Sequence, residues 1–168
     1  MRGKFTKLLE KTLKKRQIKE YRENSKPFKD NQELKAKVVG DKVVGPDSSL
    51  NIKDAPMFHK QDYNKIKQYL TDLLSEFSAS DFGENGPKPG SVTYDTIIIL
   101  ADDLLDPSEE PASEIEQILW SSLPENMIYP RGEYDELEVD WRHEFKVLGK
   151  VNGGWLVYID WGDFDVIN

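Results

Sequence analysis

Cysteine is absent from this 168-residue chain. That excludes a disulfide framework, a thiolate nucleophile and every thiolate metal site, and a reducing, cytoplasmic setting is the simplest expectation. Histidine is scarce, with only His59 and His143. Long hydrophobic runs are also missing. No fully apolar run exceeds five residues, whereas a helix that spans a bilayer needs about 20, so no membrane span is expected. The first residues, "MRGKFTKLLEKTLKKR", are basic but hold no continuous apolar segment, so a secretory signal is not expected there. Glu10, Glu20 and Glu23 speak against a mitochondrial presequence, which is poor in acids.

Catalytic signatures are lacking as well. The chain holds no GxSxG, GxxxxGK[ST], HExxH or GxGxxG, each of which would place a nucleophile, a phosphate cradle or a metal pair at a fixed spacing. "DDLLDPSEE" lacks the glycine and the terminal glutamate spacing of a calcium loop. No cofactor is expected, and a non-enzyme is the favoured class.

What the chain does have is charge, unevenly placed. Residues 1–43 hold 14 Lys/Arg and 6 Asp/Glu, a net +8, while residues 44–168 hold 9 and 25, a net −16. This is the layout of a basic arm on an acidic body. The arm suits nucleic acid or another anionic surface. All four tryptophans lie between Trp120 and Trp161, so the core is expected in the second half.

Hydrophobic period assigns the elements. Phe5, Leu8, Leu9, Leu13 and Ile18 form a thin helical stripe ending near Tyr21. Residues 25–58 are broken by Pro, Gly, Ser and Asp and read as an extended linker, with a weak hairpin around Gly40-Asp41. Tyr63, Ile66, Leu70, Leu73, Leu74 and Phe77 make one apolar face and predict a helix over 62–77. "SVTYDTIIILADDLLD" holds three consecutive isoleucines that favour a strand, but Tyr94, Ile97, Ile98, Ala101, Leu104 and Leu105 follow helical spacing, so a helix is expected over 93–105. A further helix is predicted in "EEPASEIEQILW", with Ile115, Ile118 and Leu119 inward. From Tyr134 the period becomes two, and Leu137, Val139, Trp141, His143, Phe145 and Val147 predict a half-buried strand.

A second apolar row, Trp155, Val157, Ile159 and Trp161, follows a glycine turn. Directly opposed residues of an antiparallel pair share a face. A two-residue Asn152-Gly153 turn would put Lys146 opposite Ile159 and the apolar rows on different faces. A three-residue loop, Asn152-Gly153-Gly154, instead pairs Val151 with Trp155, Val147 with Ile159 and Phe145 with Trp161, and sets Lys146 opposite Asp160 on the outer face. That register is the expected one. Continued outward, it sets His143 opposite Asp163 and Trp141 opposite Asp165. An imidazole and two carboxylates at one hairpin end are the types that hold a divalent metal or run acid–base chemistry. His143, Asp163 and Asp165 therefore define an alternative reading as a metal-dependent hydrolase.

The expected fold is α+β: helices packed on one face of a C-terminal antiparallel sheet, preceded by a basic helical arm. Residues 1–58 are expected as arm and linker, and residues 59–168 as an acidic α+β domain. The favoured function is a non-catalytic acidic protein-binding module, an inhibitor or immunity-type protein that neutralises a basic partner such as a nucleic-acid enzyme. Its partner surface is expected at Tyr129, Tyr134, Asp135, Glu136, Glu138 and Asp140, where exposed aromatics would anchor and acids would steer. A nucleic-acid-associated protein using the basic arm is the other alternative.

Overall fold

The computed structural model describes residues 28–46, 48–82, 95–122 and 126–166; the helix expected near Phe5 to Tyr21, and with it the basic arm, lies outside the described residues. The chain is α+β. In order it forms strands β1 (Phe28–Asp30), β2 (Lys37–Val39), β3 (Lys42–Val44), β4 (Ser49–Asn51) and β5 (Met57–Phe58), then helix α1 (Tyr63–Leu74), strand β6 (Asp95–Ala101) and helix α2 (Pro111–Ser122). Strands β7 (Met127–Pro130), β8 (Glu136–Val151) and β9 (Gly154–Val166) follow.

A curled half-barrel sheet runs in the order β1-β8-β9-β6-β5, with β7 pairing on β8 beyond β1, and a small antiparallel sheet runs β2-β3-β4. The large sheet is mixed, not purely antiparallel as expected, because β1 lies parallel to β8 and β5 parallel to β6. Nor is it confined to the C-terminal part. Residues 28–58, expected as a linker, supply β1 to β5, and Phe28, Val43 and Phe58 are buried. The weak hairpin at Gly40-Asp41 is present, with Gly40 at φ +64°, the left-handed region that glycine enters without penalty.

The helices form as their period predicts. Ile66, Leu70 and Leu74 of α1 and Ile115, Ile118 and Leu119 of α2 are buried against one face of the sheet, together with Ile98, Leu100, Trp141, Phe145, Val157, Ile159 and Trp161. The other face is covered too. Ala36 and Val43 pack there with Ile97, Ile99, Leu156 and Tyr158.

This second layer also explains the departure from the helix expected over 93–105. Residues 95–101 are strand β6, not a helix, and six of the seven are buried. A strand covered on both faces carries a continuous apolar run and loses its two-residue alternation. The β-branched isoleucines then decide the matter in favour of strand. The helical spacing of the same residues is a by-product of their number.

The β8–β9 hairpin also departs from its expected register. The turn is the two-residue Asn152-Gly153, with φ of +44° and +84°, and Val151 pairs with Gly154. Positive φ at both positions is the turn whose twist matches the flanking strands. A bulge at Leu148 then shifts the pairing by one, so Val147 meets Val157 and Phe145 meets Ile159. The bulge restores the shared apolar face that the two-residue turn alone would have split. Lys146 lies opposite Tyr158, not Asp160.

Candidate functional site

The expected partner surface begins at Tyr129, and there it needs correction. Tyr129 is 3% exposed. It lies on β7, whose register with β8 sets it opposite the buried Leu137. Its hydroxyl donates to the Leu74 carbonyl at 2.8 Å and accepts from Trp141 Nε1 at 3.0 Å. The acceptor is a carbonyl of the last turn of α1, which also accepts from the Phe77 amide at 3.3 Å. Burial pushes the Tyr129 pKa up to about 12. Tyr129 is therefore a structural clasp between helix and sheet and offers nothing to a partner.

The remaining five residues stay at the surface. Tyr134 is 94% exposed, at the tip of the loop that joins β7 to β8. The loop is held by a bond from the Arg131 amide to the Asp135 carbonyl and by an Arg131 Nε–Asp135 Oδ2 ion pair, each 2.8 Å. The guanidinium and the Glu136 amide hold the Asp135 carboxyl below its usual range. Glu136 is exposed; Glu138 and Asp140 are half-buried. Glu138 accepts a bond from Asn126 Nδ2 at 2.8 Å. Ile128, opposite Glu138, is 54% exposed.

These acids belong to a longer series. Side chains of one strand face recur about every 6.7 Å, and the outward positions of β8 from its start are Glu136, Glu138, Asp140, Arg142 and Glu144. The register sets Glu144 opposite Asp160, and Asp160 opposite Asp95 of β6. Three carboxyl residues thus stand in one row across β8, β9 and β6. Like charges directly opposed across strands oppose folding. Two of the three acids are held by neutral donors: Asn31 Nδ2 donates to Glu144 at 3.0 Å, and the Ser48 hydroxyl donates to Asp95 at 2.7 Å.

The alternative site is not assembled by this register, since Asp163 stands opposite Arg142 and Asp165 opposite Asp140; the side chains of both lie outside the described residues. His143 points inward and is 2% exposed. Its ring lies 4.7 Å from that of Phe28, 5.5 Å from Trp161 and 5.8 Å from Trp141, the last nearly parallel at 11°. Burial lowers its pKa to about 3, so the ring is neutral. His59 acquires a carboxylate neighbour that its local sequence does not contain: Nδ1 lies 3.6 Å from Asp103 Oδ2 on the surface. A further acid group sits before α2, where carboxylate oxygens of Asp106, Glu109 and Glu114 lie within 4.8 Å of one another. Asp106 is held low by the amide and hydroxyl of Ser108, whereas burial and then the charges of Glu109 and Asp106 raise Glu114. The sequence signal for this group was the acid-rich "DPSEE" itself.

Comparison of the chain with protein-family models, with curated proteins and with solved structures found no match.

Proposed function

We propose that this chain is a non-catalytic, acidic protein-binding module that neutralises a basic partner, an inhibitor or immunity-type role in which the partner is an enzyme acting on nucleic acid. One observation carries the reading: the acids Glu136, Glu138 and Asp140, which recur on the outward face of β8 next to the exposed Tyr134. These residues give one end of β8 a local excess of acids beside an aromatic side chain. A cationic surface complements such an excess, and charge of one sign speeds the encounter. Tyr134 and Ile128 supply the apolar anchors that such interfaces use. The proposal includes a cytoplasmic location, in keeping with the absence of cysteine.

The test is affinity capture from extracts of the source cell with the full chain and with a Glu136→Lys/Glu138→Lys/Asp140→Lys variant, followed by titration of the purified partner. The expected partner is basic, loses affinity steeply with salt, and binds the variant at least 100-fold more weakly. Tyr134→Ala should weaken binding by about 2 kcal/mol or more, the mark of a hot-spot aromatic. Equal capture of the same proteins by the variant would contradict the reading. Salt-sensitive binding of DNA or RNA that disappears on removing residues 2–22 would instead favour the basic arm.

A further inference from the structure

His143 has no role in the proposed interface, yet it is the one ionisable side chain among the fully enclosed core residues of β8. Its Nδ1 is buried and has no hydrogen-bond partner. Its ring is enclosed by Phe28, Trp141 and Trp161. Two of these three belong to the long hairpin at the centre of the sheet. The third, Phe28, belongs to β1, an edge strand of three residues that pairs with β8 at His143, Glu144 and Phe145. One face of the imidazole is thus covered by a short edge strand of the sheet.

We propose that His143 makes the β1–β8 edge an acid-sensitive latch, in which protonation of the imidazole holds β1 open while the rest of the sheet stays folded. In the closed state the ring is neutral and only 2% exposed. When Phe28 lifts away, the ring is solvated and accepts a proton from water, and the resulting cation cannot return to a cage of aromatic rings and apolar neighbours. The charged groups around it do not alter this. Arg142 and Glu144 flank His143 but belong to the outward face. Asp30 of β1 accepts from Gln32 Nε2 at 2.8 Å. On α2, which packs beside β1, Glu116 is half-buried. Asp160 of β9 stands in the outward row. The lowered pKa of His143 is caused by burial alone.

The sign follows from proton counting. Above about pH 6.5, open and closed forms are both unprotonated and the latch is at full strength. Between there and about 3 the open form carries one more proton, so the closed form loses ground by about tenfold per pH unit as pH falls.

Hydrogen exchange of the full chain between pH 7 and pH 5, corrected for the intrinsic rate, reads this directly. The amides to follow are those of β1, of Asn31, which donates to the Phe145 carbonyl at 2.8 Å, and of His143 to Phe145. Their opening constant should rise towards tenfold per pH unit below about 6.5, while the amides of β6 keep their protection. His143→Phe should remove the slope and retain the closed edge; His143→Gln serves if the phenylalanine variant does not fold. Protection of β1 that does not vary with pH would overturn the proposal. So would loss of protection in β6 with the same slope as β1, which would mean global acid unfolding. The contrast between β1 and β6 in the unaltered protein decides the matter without either variant.

Discussion

The Tyr129 hydroxyl sits between a helix end and a strand. It takes one proton donor from Trp141 and gives its own proton to Leu74. Replacing it by phenylalanine leaves the ring packing intact but removes both bonds, so a buried indole N–H loses its partner. The cost of such an orphan is about 1–3 kcal/mol. Urea unfolding of Tyr129→Phe should show that loss with an unchanged dependence on denaturant; stability equal to the parent would show that the two bonds contribute nothing. The sequence gives no hint of this role. Tyr129 stands between Pro124 and Gly132 among acids, a local setting that reads as surface. Its burial is decided by the end of α1, 55 residues away. Lys146 is a similar case. It lies on the outward face, as expected, yet its ammonium donates to the carbonyls of Leu34 and Ala36 at 3.1 and 3.2 Å. The segment that covers it is remote in sequence.

At the scale of elements, one-sided burial was legible and two-sided burial was not. Helices α1 and α2 and the first half of β8 each bury a single face, so their period of 3.6 or two survives in the sequence. Strand β6 buries both faces, and its run of Ile97 to Ala101 has no period to read. In the β8–β9 hairpin the shared apolar face was correctly expected, but the device that produces it was not. A bulge and a three-residue loop satisfy the same parity requirement, and nothing in "VLGKVNGG" distinguishes them beforehand. The turn does make a testable demand on Gly154. A Cβ there would stand 2.7 Å from Ile99 Cγ2 and 2.9 Å from the Leu100 carbonyl oxygen. Gly154→Ala must therefore push β9 away from β6 at the turn end of their pairing. Overpacking of this kind costs about 1–3 kcal/mol, which a thermal or denaturant melt will detect. A variant as stable as the parent would show that the two strands are not held so close.

The whole molecule is a sheet filled on both sides, and its two coverings come from different parts of the chain. Helices α1 and α2 cover one face, and the segment that contains β2, β3 and β4 covers the other. The half-buried acid row depends on the same arrangement, because β6, β8 and β9 must pair in register for Asp95, Asp160 and Glu144 to align. Residues 28–58 are thus part of the folding unit, although their turn-rich composition reads as a linker. The most direct test compares the unfolding of residues 28–168 with that of residues 59–168 in denaturant. Without residues 28–58 the chain loses Phe28, Val43 and Phe58 from its core and uncovers Ile97, Ile99, Leu156 and Tyr158. The longer chain should unfold in one cooperative transition. The shorter should lose it, or show a much lower midpoint with a shallower slope, and should bind a hydrophobic dye. Equal midpoints and slopes for the two chains would contradict the account.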